Sequence, residues 1–145
     1  VKATSALGLL VVALSLGSTL GCTNAGKHEA ASLVQAVDAY RHASGPVKAQ
    51  RAQAVGQVAC TDAKVCDAKA ACVAAIDPTL KALALKDEVT ARVADLEKGV
   101  LAKDSPEAQA LPGKLDEAER LLKDGRAKMD ACDNKLTDLH IDYGV

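Results

Sequence analysis

The chain has no Phe, no Trp, one Met and two Tyr among 145 residues. That shortage excludes a large aromatic core, so Ala, Leu and Val must fill the interior. Acidic and basic residues nearly balance, at 19 and 18, and no basic block occurs. The clustered positive surface of a nucleic-acid binder is therefore missing. There are three His, far apart in sequence at His28, His42 and His140, and none lies within four residues of a Cys. No Cys-x-x-Cys, phosphate loop or metalloprotease signature is present. We therefore expect no catalytic residue, no metal and no cofactor.

What the chain does have is a sharp contrast between its two parts. Lys2 and the amino terminus precede an uncharged run whose apolar part, Leu7 to Leu20, is 14 residues long. A bilayer span needs roughly 20 apolar residues. The shorter run has the length of a signal-peptide core. Val1 is an unusual first residue, as a non-ATG start would give. Behind this segment the composition turns to Ala, Asp, Glu and Lys. Without Lys2 the remainder has 17 basic and 19 acidic residues, a net charge of −2.

The junction Thr19-Leu20-Gly21-Cys22 resembles the lipobox of bacterial lipoproteins. Gly21 and Cys22 fit that motif, while Thr19 and Leu20 stand in exchanged order. The resemblance covers only the first 22 residues. It implies removal of residues 1–21 and a diacylglycerol thioether on Cys22, with several acyl chains giving a lasting membrane attachment. Thr23, where Asp would signal otherwise, implies the outer membrane by the same resemblance. A secretory signal cut after Gly21 or after Ala25 is the alternative, and an uncleaved anchor is a third.

After the signal, strand-forming windows are missing and helix formers fill nearly everything. Residues 22–28 read as a lipidated Cys and tether, and 29–145 as one helical domain. Helices are predicted over 29–44, 47–76, 78–100 and 114–139. Breaks are expected at Ser44-Gly45-Pro46, Asp77-Pro78, Ser105-Pro106 and Leu111-Pro112-Gly113. The last helix carries a heptad seam: Leu115, Ala118, Leu122, Gly125, Met129, Cys132, Leu136, Leu139 and Tyr143. Ala30, Leu33, Val37 and Tyr40 form a stripe on the first helix. Leu85, Val89, Val93, Leu96 and Val100 form one on the third. The expected fold is all-α, a disulfide-stapled antiparallel bundle of four to five helices.

Cys60, Cys66, Cys72 and Cys132 form an even set in an exported chain, which reads as two disulfides. A six-residue step along one straight helix separates Cα atoms by about 9 Å, too far to bridge. A turn near Thr61-Asp62 removes that conflict and lets Cys60 pair with Cys66, leaving Cys72 for Cys132. Cys60–Cys72 with Cys66–Cys132 is the second arrangement. Five intervening residues do not match metal-ligand spacing.

The composite expectation is a non-catalytic, membrane-tethered envelope lipoprotein, an accessory, scaffold or partner-binding subunit with an envelope protein as partner. Tyr40 and Tyr143 are the candidate contact residues, although both also fit the apolar stripes. A periplasmic or surface sensor holding a small ligand between helices is a second class. An envelope metal or redox protein is a third.

Overall fold

The computed structural model describes residues 22–145. The signal segment expected over 1–21 lies outside the described residues, as does the side chain of Cys22. Four helices follow one another: α1 (Cys22–His42), α2 (Gly45–Gln57), α3 (Ala63–Glu97) and α4 (Pro106–Tyr143). No strand occurs among the described residues.

Local chemistry explains where three of these helices begin. Ser44 stands in extended conformation before Pro46 at the start of α2, where the missing proline N–H costs nothing. Asp62 caps α3 by accepting a hydrogen bond from the Lys64 N–H at 2.8 Å. Ser105 caps α4 by accepting one from the Ala108 N–H at 3.2 Å. Gly99, at φ +72°, turns the chain out of α3, a left-handed position that Gly adopts without steric cost.

Two expected breaks are absent, so the described residues form four helices and not five. Pro78 lies inside α3 and Pro112 inside α4. Each proline removes one backbone hydrogen bond and disfavours the helix locally. Tertiary contact outweighs that cost. Ala75 and Ala82, on either side of Pro78, are fully buried, and Pro78 itself is buried. Leu111, beside Pro112, is 5 % exposed. The helix also begins earlier than expected: residues 22–28, read as a tether, form the first two turns of α1. Gly26 there is buried against Asp62 and Tyr143, which gives the segment a packing surface.

Helices α3 and α4 run antiparallel and share the most extensive interface. Pairs matched along them include Lys64 with Asp142, Cys72 with Cys132, Glu88 with Lys114, and Arg92 with Glu107. The heptad seam of α4 is this interface: Ala118, Gly125, Cys132, Leu136 and Leu139 are buried. Leu115 departs from it, at 43 % exposure.

The hairpin of α1 and α2 covers only the half of α3 and α4 nearer their outer ends. Ala30, Leu33, Val37 and Tyr40 of α1 join Ala52 and Val55 of α2, Val65 to Ile76 of α3, and Cys132 to Leu139 of α4 in one core. The turn between α1 and α2 comes level with Leu80 to Asp87 of α3. At 35 residues α3 is about 52 Å long, whereas α1, at 21 residues, is about 31 Å. The fold is thus a four-helix base from which α3 and α4 continue as a two-helix arm.

Candidate functional site

Both sulfur bridges sit in the base. Cys60 pairs with Cys66 across the corner between α2 and α3, with Cα atoms 5.1 Å apart. Cys72 pairs with Cys132 across the α3–α4 seam, at 4.6 Å. This is the first of the two arrangements weighed from spacing, and the corner at Thr61-Asp62 makes it possible. Cys72 and Cys132 are fully buried, while Cys60 and Cys66 are each half-buried.

The two tyrosines, candidates for a contact that also fit the apolar stripes, are placed differently from each other. Tyr40 is 2 % exposed. It packs in the core because its stripe faces α3, and its hydroxyl hydrogen bonds Thr79, while burial raises its pKa. The Lys48 ammonium lies 4.3 Å from its ring centroid, within cation–π range. Tyr40 therefore offers no surface to a partner in this conformation. Tyr143 is half-buried and its hydroxyl hydrogen bonds the Asp62 carboxylate, which pushes its pKa up to about 12.

That bond belongs to a polar latch that the sequence did not reveal. The Glu29 carboxylate of α1 accepts from the Thr61 N–H at 2.7 Å, the Thr61 hydroxyl at 2.8 Å and the Asp62 N–H at 3.2 Å. Lys64 closes the network onto Asp142 at 2.7 Å. Three chain segments are joined: the start of α1, the α2–α3 corner and the end of α4. The hydrogen bonds from Thr61 hold the Glu29 carboxyl below its ordinary value, and the bond from Tyr143 does the same for Asp62. No sequence rule connects positions 29 and 61, because the contact depends on how α1 docks.

The sign of the resulting pH dependence follows directly. Below about pH 5 the unfolded chain binds more protons at Glu29 and Asp62 than the folded one. Their stabilisation is complete above the ordinary values of 4.5 and 3.8 and is lost as pH falls through the lower folded values. Tyr143 acts at the other limit: its contribution is complete below 10 and disappears as pH rises through about 12. Melting temperature should therefore drop on acidification from pH 6 to 3, and Glu29→Gln should show a smaller drop than the parent chain. An equal drop in both would remove Glu29 from the cause.

The histidines are not brought together. His28 is exposed, His42 Nδ1 lies 2.9 Å from the Asp38 carbonyl, and His140 contacts the Val145 carbonyl. Among the described residues no group of three His, Cys, Asp or Glu side chains could hold a metal ion. A depression of about 260 Å³ between α3 and α4 is an open groove lined by Lys64, Asp67, Lys135, Asp138, Leu139, Ile141 and Asp142. No helix is long and apolar enough to cross a membrane among the described residues.

Exposed apolar side chains occur on both parts of the fold, with Val47 and Ile141 on the base at 47 % and 76 % exposure and three more on the arm. Val93, Val100 and Leu115 are 41 %, 75 % and 43 % exposed. Two helices shield a seam residue on one side only, and neither α1 nor α2 reaches this far, so these side chains stay in water. Val100 lies in the connection at the tip, beside Gly99.

These features define an all-α bundle with a base and an arm, stapled by two disulfides. No protein family matches the chain, nor does any curated protein or solved structure.

Proposed function

We propose that this chain is an exported, lipid-anchored scaffold of the bacterial envelope, most consistent with the outer membrane, that carries a partner contact at the tip of its arm. One observation carries the reading: Gly26 and Glu29 in the first turns of α1, the α2–α3 corner and the end of α4 gather at one end, and the α3–α4 connection lies at the other. An acyl chain on Cys22 would attach the base to the bilayer and hold the tip roughly 50 Å away. The sulfur bridges suit an oxidising compartment. The exposed Val100 supplies apolar contact area on that tip, with Val93 and Leu115 exposed further down the arm. Tethering raises the local concentration of the tip near other envelope proteins.

Intact mass spectrometry of the cell-derived protein tests the export and anchor. The expected species begins at Cys22, carries acyl chains, and gains four hydrogens on reduction. A species that retains residues 1–21, or one that gains none, would sink the reading. The contact is tested by a photo-crosslinking residue placed at Val100 in living cells, with Gln53 on the outer face of α2 as control. The expected result is a discrete adduct from position 100 and none from position 53. Equal labelling from both, or none from either, would remove the tip as the contact.

A further inference from the structure

The two disulfides are built for different chemistry. Cys72–Cys132 lies inside the core with both residues fully buried, so a reductant reaches it only when the seam opens. Cys60–Cys66 lies at the half-buried corner between α2 and α3. That corner is also held without its sulfur bond. Glu29 binds Thr61 and Asp62 through three hydrogen bonds, Asp62 caps α3, and the Lys69 ammonium donates to the Val58 carbonyl at 2.9 Å.

We propose that Cys60–Cys66 is a thiol–disulfide exchange site, opened and closed reversibly by a dithiol while Cys72–Cys132 remains shut. Two features of the corner support this. Cys66 stands in the first turns of α3, where the helix dipole favours a thiolate. Cys60 lies outside any helix and has no such support. Cys66 Sγ also lies 3.0 Å from the Cys60 carbonyl oxygen, a contact that favours the protonated Cys66 thiol of the opened pair rather than the leaving thiolate.

The leaving sulfur in an exchange is the one whose thiolate is better stabilised. A thiolate of the dithiol therefore attacks Cys60 Sγ, the Cys60–Cys66 bond breaks, and its electron pair departs on Cys66 Sγ, which takes a proton. The second thiol of the reductant then attacks the mixed disulfide. It forms the reductant's own disulfide and releases Cys60 as a thiolate, which is protonated. Two electrons pass from the dithiol to the protein. The partner class is thus a dithiol of the compartment the chain occupies, such as the reduced active site of a disulfide oxidoreductase.

The test uses the mature chain with both bridges intact. Native protein is incubated with dithiothreitol, alkylated at intervals, then unfolded, reduced and labelled with a second reagent for peptide mapping. Cys60 and Cys66 should reach half-labelling at least tenfold sooner than Cys72 and Cys132, with the helical circular dichroism unchanged. With excess glutathione in place of dithiothreitol, the transient adduct should map to Cys60. Both bridges opening together, Cys72–Cys132 opening first, or a loss of helix on the first reduction would overturn the proposal. A glutathione adduct on Cys66 would overturn its direction. As a second measure, a Cys60→Ser, Cys66→Ser variant should retain the parent helical spectrum; an unfolded variant would show that the corner depends on its bridge.

Discussion

Replacing Cys72 and Cys132 together with alanine should lower the free energy of unfolding by about 4 kcal/mol. The bridge closes a separation of 60 residues, and the chain-entropy relation assigns roughly that value to a loop of this size. The same relation gives about 2 kcal/mol for a six-residue separation such as Cys60 to Cys66. Small domains are stable by about 5–15 kcal/mol in all. The core here contains one Tyr and no larger side chain, so the loss removes a large share of the margin. Alanine is the right replacement because both positions are fully buried, where a serine hydroxyl would need a partner. Urea titration of the parent and the double variant reads the difference through the shift in midpoint at constant slope. A shift of less than about 1 kcal/mol would mean that the α3–α4 seam holds without its cross-link.

The second large effect concerns Gly125. Gly to Ala inside a helix ordinarily stabilises by about 1 kcal/mol. At this position the sign should reverse. A Cβ built on Gly125 would stand 2.4 Å from the Thr79 hydroxyl oxygen and 3.0 Å from the Ala75 carbonyl oxygen. The hydroxyl can rotate away, but the carbonyl belongs to the backbone of α3 and cannot move without shifting the helix. Overpacking of this kind costs about 1–3 kcal/mol. Gly125→Ala should therefore be less stable than the parent, and Gly125→Leu less stable again. Gly56, in α2, has nothing within 4 Å of an added Cβ and provides the control: Gly56→Ala should gain stability. If Gly125→Ala also gained, the close approach of α3 and α4 at this level would be wrong. Thermal melts of the three variants decide the matter.

Gly125 also shows what a sequence of this kind makes legible. Its place in a 3-4 spacing, among Leu122, Met129 and Cys132, marks it as a point of close approach before any coordinates exist. The corner at Thr61-Asp62 is legible for a different reason: three cysteines six residues apart cannot be satisfied along a straight helix. The stripe of Ala30, Leu33, Val37 and Tyr40 is the buried face of α1. The prolines mislead because Asp77-Pro78 and Ser105-Pro106 carry the same local signal. Only the second begins a helix, and the difference is the partner helix packed across Pro78. The Glu29 latch is hidden because hydrogen bonds between positions 29 and 61 leave no periodic trace. The exposure of Leu115 is hidden too, since heptad spacing alone does not reveal that α1 and α2 stop short of it.

The absence of slack between Cys22 and α1 has a mechanical consequence. A lipid joined to an unstructured leash lets the body tumble freely. Here the helix begins at Cys22, and α1 is joined to the α2–α3 corner through Glu29 and to α4 through the Arg41–Asp133 ion pair. An anchor on that residue would couple bilayer tilt to the long hairpin as a stake couples the ground to a pole. Over about 52 Å, each degree of rotation at the foot would sweep the far end by about 1 Å.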